Sequence, residues 1–120
     1  MEVKTRRVNT VTILELNGRF DSHTVPPIRD ILQEVVLQKP AYIVVNLESV
    51  NFIDSAALST LVSGMKQSRQ GDGDLRLCNL QQPVRMIFEM TRLDRVFEII
   101  SGEEEAVESF NNPASSATNL

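Results

Sequence analysis

Ala41-Tyr-Ile-Val-Val-Asn-Leu47 is an aliphatic, largely β-branched run with no polar alternation before Asn46, and Lys39-Pro40 precedes it. A strand with one wet face alternates apolar and polar residues, whereas a continuous run is buried on both faces, as in a strand sandwiched between helices. This segment is therefore read as the central strand of an α/β sheet. The rest of the chain is organised around it.

Upstream, Val3–Val8 and Val11–Leu16 are β-rich runs joined by Asn9-Thr10, whose Asn suits a tight reversal, so the chain is expected to open with an antiparallel hairpin. Asp21-Ser-His-Thr24 supplies capping residues before Val25-Pro-Pro27, and Val25, Ile28, Ile31, Leu32, Val35 and Val36 recur at helical spacing until Lys39-Pro40 stops them. Downstream, Ala57, Leu58, Leu61, Val62 and Met65 mark a second helix running to Gln70, with Gly71-Asp-Gly73 as its stop and turn. Leu75–Leu80 reads as a strand, a third helix starts near Pro83 and carries Val84, Ile87 and Phe88, and Val96–Ile100 reads as a short last strand. Glu103–Phe110 reads as a helix with acids in its first turn, where the helix dipole favours them. Residues 1–110 are expected to form one domain and residues 111–120, rich in Asn, Ser and Ala, a disordered tail.

The order β-β-α-β-α-β-α-β-α contains three strand–helix–strand crossovers, which imply right-handed parallel connections with the first strand as an antiparallel edge. The expected fold is α/β, with a mixed, mostly parallel sheet of about five strands and about four helices. Methionines 65, 86 and 90 and Cys78 are assigned to the core.

Composition narrows the function. One Cys and one His in 120 residues leave no zinc constellation and no internal disulfide, so neither a metal nor another cofactor is expected. No apolar run exceeds the five residues Ala41–Val45, and the start Met-Glu-Val-Lys lacks a signal-peptide core, so the chain reads as cytoplasmic without membrane insertion. Up to Phe97 there are 12 Lys and Arg against 11 Asp and Glu, while the remainder has five acids and no cation. That distribution offers no basic stripe, and with five Phe and one Tyr there are few stacking platforms, which disfavours nucleic acid and favours a protein partner.

In open α/β sheets function collects where strand ends meet helix N-termini, which singles out Asn51-Phe-Ile-Asp-Ser-Ala-Ala-Leu58. Asp54 or Ser55 is placed to cap the second helix, with the other in its first turn. A phosphate on Ser55 would meet unpaired backbone N–H groups and the positive helix end. It would also add about 1.5–2 negative charges beside Asp54 and, if the loops converge, Asp21. On spacing alone, Ser55 reads first as a helix-capping serine without any regulatory role. Asp21, Ser22 and His23 are consecutive and cannot form a nucleophile–base–orienter triad, so no enzyme activity is assigned. Asp54 as a phosphoryl acceptor of the receiver type would need an acidic pair and a Lys that the chain lacks, Ile99-Ile-Ser-Gly102 holding none.

Phe52-Ile-Asp-Ser-Ala-Ala-Leu58 resembles the phosphorylation-site motif of anti-sigma factor antagonists of the STAS fold. Leu16-Asn-Gly-Arg-Phe-Asp21 is similar to the family's Leu-x-Gly-x-Ile/Leu-Asp stretch, Asn46-Leu47 to its Asp/Asn-Leu, and Phe88-Glu-Met-Thr-Arg-Leu93 to its region before the last strand. The resemblance spans residues 1 to about 110. It implies that Ser55 is phosphorylated by an anti-sigma factor that is also a serine kinase of the histidine-kinase-like ATPase type. It further implies that the unmodified antagonist holds this partner, lets go on phosphorylation, and is reset by a metal-dependent serine phosphatase. The chain departs from the motif at Ala57, where the family usually has Gly; the added methyl could hinder a kinase's approach.

The expected partner surface comprises Asp21, Ser22, His23, Thr24, Asp54, Ser55 and Ala56, continued by Ser59, Ser63 and Gln67, which follow Ser55 at steps of four on one helix face. The alternative is a STAS interaction module of a transporter or signalling scaffold without a phosphoswitch.

Overall fold

In the computed structural model, which describes residues 1–111, the hairpin opens the chain: β1 (Glu2–Val8) runs antiparallel to β2 (Val11–Asn17) with Val8 opposite Val11. Asn9 turns the chain at φ 56°, the left-handed region that Asn tolerates best after Gly. Then follow α1 (Val25–Val35), β3 (Tyr42–Ser49), α2 (Ser55–Gln70), β4 (Asp74–Cys78), α3 (Gln82–Met90), a 3-10 turn (Leu93–Arg95), β5 (Ile99–Ile100) and α4 (Glu103–Asn111). The sheet order is β1-β2-β3-β4-β5, and every pair after the first is parallel. The expected mixed sheet with one antiparallel edge strand is thus present. Residues 112–120, the rest of the expected tail, lie outside the described residues.

β3 is buried on both faces, as its unbroken apolar run requires. Ile43, Val45 and Leu47 join the main core with Leu14, Leu16, Leu75 and Leu77, beneath Ile28 and Leu32 of α1, Leu61 and Met65 of α2, and Val84 and Phe88 of α3. Val44 points the other way, into a smaller cluster with Val11, Ile13, Cys78 and the α4 residues Ala106 and Val107. Burial pushes the Cys78 thiol up to about 12, with the charges of Glu103 and Glu48 adding to it, so this cysteine is an inert core residue. Among the described residues no helix is long and apolar enough to cross a membrane.

Three expectations are corrected. Met86 and Met90 are 47% and 78% exposed, because α3 buries Val84 and Phe88, and residues two further on stand about 200° round the helix. Met65 alone of the three is core. The last strand is two residues rather than five: the 3-10 turn takes the chain as far as Val96, and Phe97 leaves the sheet to pack edge-on against Phe88, with ring centroids 5.6 Å apart. β4 ends at Cys78 rather than Leu80, because Asn79 adopts φ 57° and turns the chain away.

The polar break in the β3 run is explained by α4. Asn46, only 4% exposed, donates through Nδ2 to Glu103 Oε1 at 3.1 Å, and its Oδ1 accepts from the Glu48 N–H and from Asn79 Nδ2. Glu103 also accepts from Arg6 at 2.7 and 2.8 Å, so one carboxylate ties β1 and β3 to the start of α4. Burial alone would raise the Glu103 carboxyl, but the hydrogen bonds from Arg6 and Asn46 outweigh it and hold it below its ordinary value. Such a group contributes stability that is present above its unfolded pKa, about 4.3, and is lost as pH falls through the lower folded value. Glu103→Ala is therefore expected to cost about 1–3 kcal/mol near neutrality, since Asn46 Nδ2 loses its partner, and less in acid. Urea midpoints at about pH 7 and pH 3 measure both; equal losses at the two pH values would show that the carboxylate charge contributes nothing.

Candidate functional site

Two parallel segments run together beyond the end of the sheet. Phe20 pairs with Ile53, the Phe20 N–H donates to Phe52 O, and the Asp54 N–H donates to Phe20 O at 3.3 Å. Phe20 and Ile53 point inward and are buried, so their neighbours Arg19, Asp21, Phe52 and Asp54 are turned toward the outer side. The convergence of the Asp21 loop with the Ser55 junction is thereby realised.

Asp54 is the N-cap of α2: its Oδ1 accepts from the Ala57 N–H at 3.0 Å, while Oδ2 accepts from the Ser22 N–H at 2.9 Å. One carboxylate thus caps the helix and pins the neighbouring loop. Asp21 caps the turn leading into α1, its Oδ1 accepting from the backbone N–H of His23 and Thr24. The Thr24 hydroxyl returns the favour by accepting from the Asp21 N–H at 2.8 Å and donates to Arg19 O, a reciprocal cap that sits one turn before α1 proper. Burial would raise the Asp21 carboxyl; the hydrogen bonds from the His23 N–H, Arg19 and the Thr24 N–H together carry it below its ordinary value.

Ser55 is the first residue of α2 and is exposed. Among the described residues its hydroxyl has no hydrogen-bond partner, so it is not itself the cap. Ser22 and His23 are exposed beside it, Asp21, Thr24, Asp54 and Ala56 are half-buried, and Ser59, Ser63 and Gln67 continue an exposed face along α2. Ala57 is fully buried and its methyl joins the main core, so the departure from the usual glycine adds nothing to the face a kinase would approach.

Two open grooves flank the exposed face of α2. One, of about 360 Å³, lies against α1 and is lined by Arg29, Leu32, Ala56, Ser59 and Ser63 among others. The other, of about 730 Å³, runs from Ser55 past Leu58, Val62 and Lys66 to Leu93 of the 3-10 turn. Leu93 and Arg29 were not among the residues expected from the sequence, because only the fold brings their elements beside α2. Arg19 and Phe52 were missed as well: the Arg19 guanidinium stacks 3.8 Å from the centre of the Phe52 ring. A signal existed, since each stands two residues before an acid, Asp21 or Asp54, on paired segments. Among the described residues no cluster of three or more His, Cys, Asp or Glu could hold a metal ion.

The family model of the STAS domain matches residues 2–106. The chain belongs to the STAS domain family. Among its relatives, the anti-sigma F factor antagonist of Paenibacillus polymyxa is 25% identical over 108 residues, covering 89% of this STAS domain chain and 92% of its own length. The anti-sigma-B factor antagonist of Staphylococcus aureus is 29% identical over 91 residues, covering 76% and 84%. The fold is shared with the anti-sigma factor antagonist SpoIIAA in its unphosphorylated form, at a TM-score of 0.80, 24% identity and coverage of 92% and 97%. It is shared too with the phosphorylated form of SpoIIAA, a Bacillus cell fate determinant, at a TM-score of 0.72, 24% identity and coverage of 91% and 99%.

Proposed function

We propose that this STAS domain is an anti-sigma factor antagonist, a binding protein rather than an enzyme, and that Ser55 is its phosphorylation switch. Unmodified, it holds an anti-sigma factor with a serine-kinase, histidine-kinase-like ATPase fold through Ser55, the Asp21–Thr24 loop and the Ser59–Ser63–Gln67 face. Phosphorylated, it is released, and a metal-dependent serine phosphatase restores it.

The observation that carries this reading is an exposed hydroxyl on the first residue of α2, unpartnered among the described residues, beside the carboxylates of Asp54 and Asp21. Its position favours an anion locally, because the first backbone N–H groups of a helix and its dipole face outward there, worth about 0.3–1 kcal/mol at an exposed site. The fold can therefore accept a phosphoryl group. A partner matched to the unmodified face instead meets about 1.5–2 added negative charges next to two existing carboxylates. A penalty of about 2.7 kcal/mol weakens binding roughly a hundredfold. The names of the relatives support the role, and SpoIIAA supports the modification by being known in both forms.

The test immobilises wild type, Ser55→Ala and Ser55→Asp and identifies by mass spectrometry what each retains from native lysate. A kinase-type ATPase held by wild type and Ser55→Ala but lost on Ser55→Asp, with the three melting temperatures within about 2 °C, is the expected result. Equal retention of transporter or scaffold proteins by all three would overturn the switch and leave a constitutive interaction module.

A further inference from the structure

Resting on the reading of Ser55 as a modified residue, we propose that Arg19 is the cation that receives the phosphoryl group of phosphorylated Ser55, exchanging Asp21 for it. Arg19 is held as a lever rather than as a closed ion pair. Its guanidinium lies flat on Phe52, its Nε reaches Asp21 Oδ2 only at 3.4 Å, and its side chain is 63% exposed. The long contact uses one of five N–H donors, and among the described residues the others have no acceptor. Asp21 meanwhile keeps its Oδ1 bonds without it, from the backbone N–H groups of His23 and Thr24, although Arg19 is the partner of Oδ2. Losing Arg19 leaves that carboxylate hydrogen-bonded.

The pairing of two segments places Arg19 and Ser55 at the same junction. Arg19 and Asp21 sit on one segment, Phe52 and Asp54 on the one paired with it, and the Ser22 N–H bridges the two through Asp54 at 2.9 Å. Ser55 is the next residue. A phosphoserine dianion offers three acceptor oxygens to a planar fork, a stronger match than the single long contact Asp21 provides. The ring of Phe52 is a platform on which the guanidinium can slide while remaining stacked, since a cation–π contact tolerates lateral movement better than a hydrogen bond. Modification would then change the binding face twice: a new anion appears at Ser55, and the Arg19 cation beside Asp21 is withdrawn.

Other charges face the same junction. Asp21 and Asp54 repel the phosphate, His23 stands in the loop, and Lys66 lines the groove that Ser55 opens but lies about 16 Å further along α2. Among the described residues His23, and Arg29 of α1, which lines the neighbouring groove with Ala56 and Ser59, compete with Arg19 for the role.

The experiment uses the full chain with phosphoserine placed at residue 55 during synthesis, so that no kinase is needed. The second ionisation of the phosphate is followed by phosphorus NMR in the otherwise unchanged protein and in Arg19→Gln, Arg19→Lys and His23→Ala backgrounds. Arg19 as the partner predicts a pKa at least about half a pH unit lower with Arg19 present than in Arg19→Gln, an intermediate value in Arg19→Lys, and no change in His23→Ala. Melting curves of the unphosphorylated variants check that loss of the Phe52 stack leaves the fold intact, and Arg19→Lys carries the comparison if Arg19→Gln does not fold. The same value in all backgrounds, or a difference that follows His23, overturns the proposal. Capture of the kinase-type ATPase by the phosphorylated chain tests the underlying switch separately. Release without an Arg19-dependent pKa keeps the switch and removes Arg19; retention despite that pKa keeps the ion pair and removes the switch.

Discussion

Gly73→Ala is expected to destabilise the domain by about 3 kcal/mol or more, a large part of the 5–15 kcal/mol that such domains possess, and to lower the melting temperature by roughly 10–15 °C. The cause is not conformational freedom. A Cβ at residue 73 would stand 2.0 Å from Ala41 O and 2.7 Å from Ala41 C, backbone atoms at the entry to β3. The neighbouring Asp74 N–H donates to that same Ala41 O at 3.0 Å, so moving the strand away to make room breaks the first link between β3 and β4. Gly71→Ala is the control. There the nearest atom is Lys39 Cγ at 3.0 Å, on an exposed side chain that can swing aside, and the cost should stay within about 1 kcal/mol. Urea midpoints compare the two; a Gly73→Ala loss as small as that of Gly71→Ala would mean that the β3–β4 entry yields freely.

The second large effect belongs to Phe88. This side chain is wholly buried, joins α3 to the main core, and meets Phe97 edge-on at the point where the chain leaves the 3-10 turn. Phe88→Ala removes the ring and the aromatic contact together, with an expected loss of about 3–5 kcal/mol. It should also reach the proposed binding face, because Leu93 of the same turn lines the groove that begins at Ser55. Hydrogen exchange at residues 92–98 is expected to quicken more than exchange in α1, which packs elsewhere on the sheet. Uniform quickening would show that the ring supports the whole core rather than this corner. Met86→Gln, on the outward face of the same helix, should change stability by about 0.5 kcal/mol or less.

The positions of the strands and helices were legible because burial leaves a periodic trace. A run apolar at every position, Ala41–Val45, needs cover on two faces, and the structure supplies α1, α2 and α3 on one and α4 on the other. The acid-rich start of α4 and the stepwise apolar positions of α1 and α2 follow from the same local rules. Periodicity was weaker where elements are short. In α3 a nine-residue helix has room for one buried stripe; the i, i+3, i+4 spacing of Val84, Ile87 and Phe88 marks it, whereas hydrophobicity alone assigns Met86 and Met90 to the core. The Val96–Ile100 run had β-forming composition but lost most of its length to a 3-10 turn and to Phe97, which gains more from the core than from the sheet edge.

For the candidate site, the motif around Ser55 and the face of α2 were readable, since capping preference and four-residue spacing are local. By itself the amino-acid sequence determined the order of elements, the doubly covered central strand and the serine at the start of α2, all set by interactions between residues near one another in the chain. Only the tertiary structure decided that Asp54 rather than Ser55 caps the helix, because the choice is made jointly with Ser22, 32 residues away. The same holds for Arg19 upon Phe52, for Glu103 beneath Asn46 at a separation of 57, and for Gly73 against Ala41. Each is a contact between distant segments whose geometry depends on how the strands align, and a local pattern carries no record of that alignment.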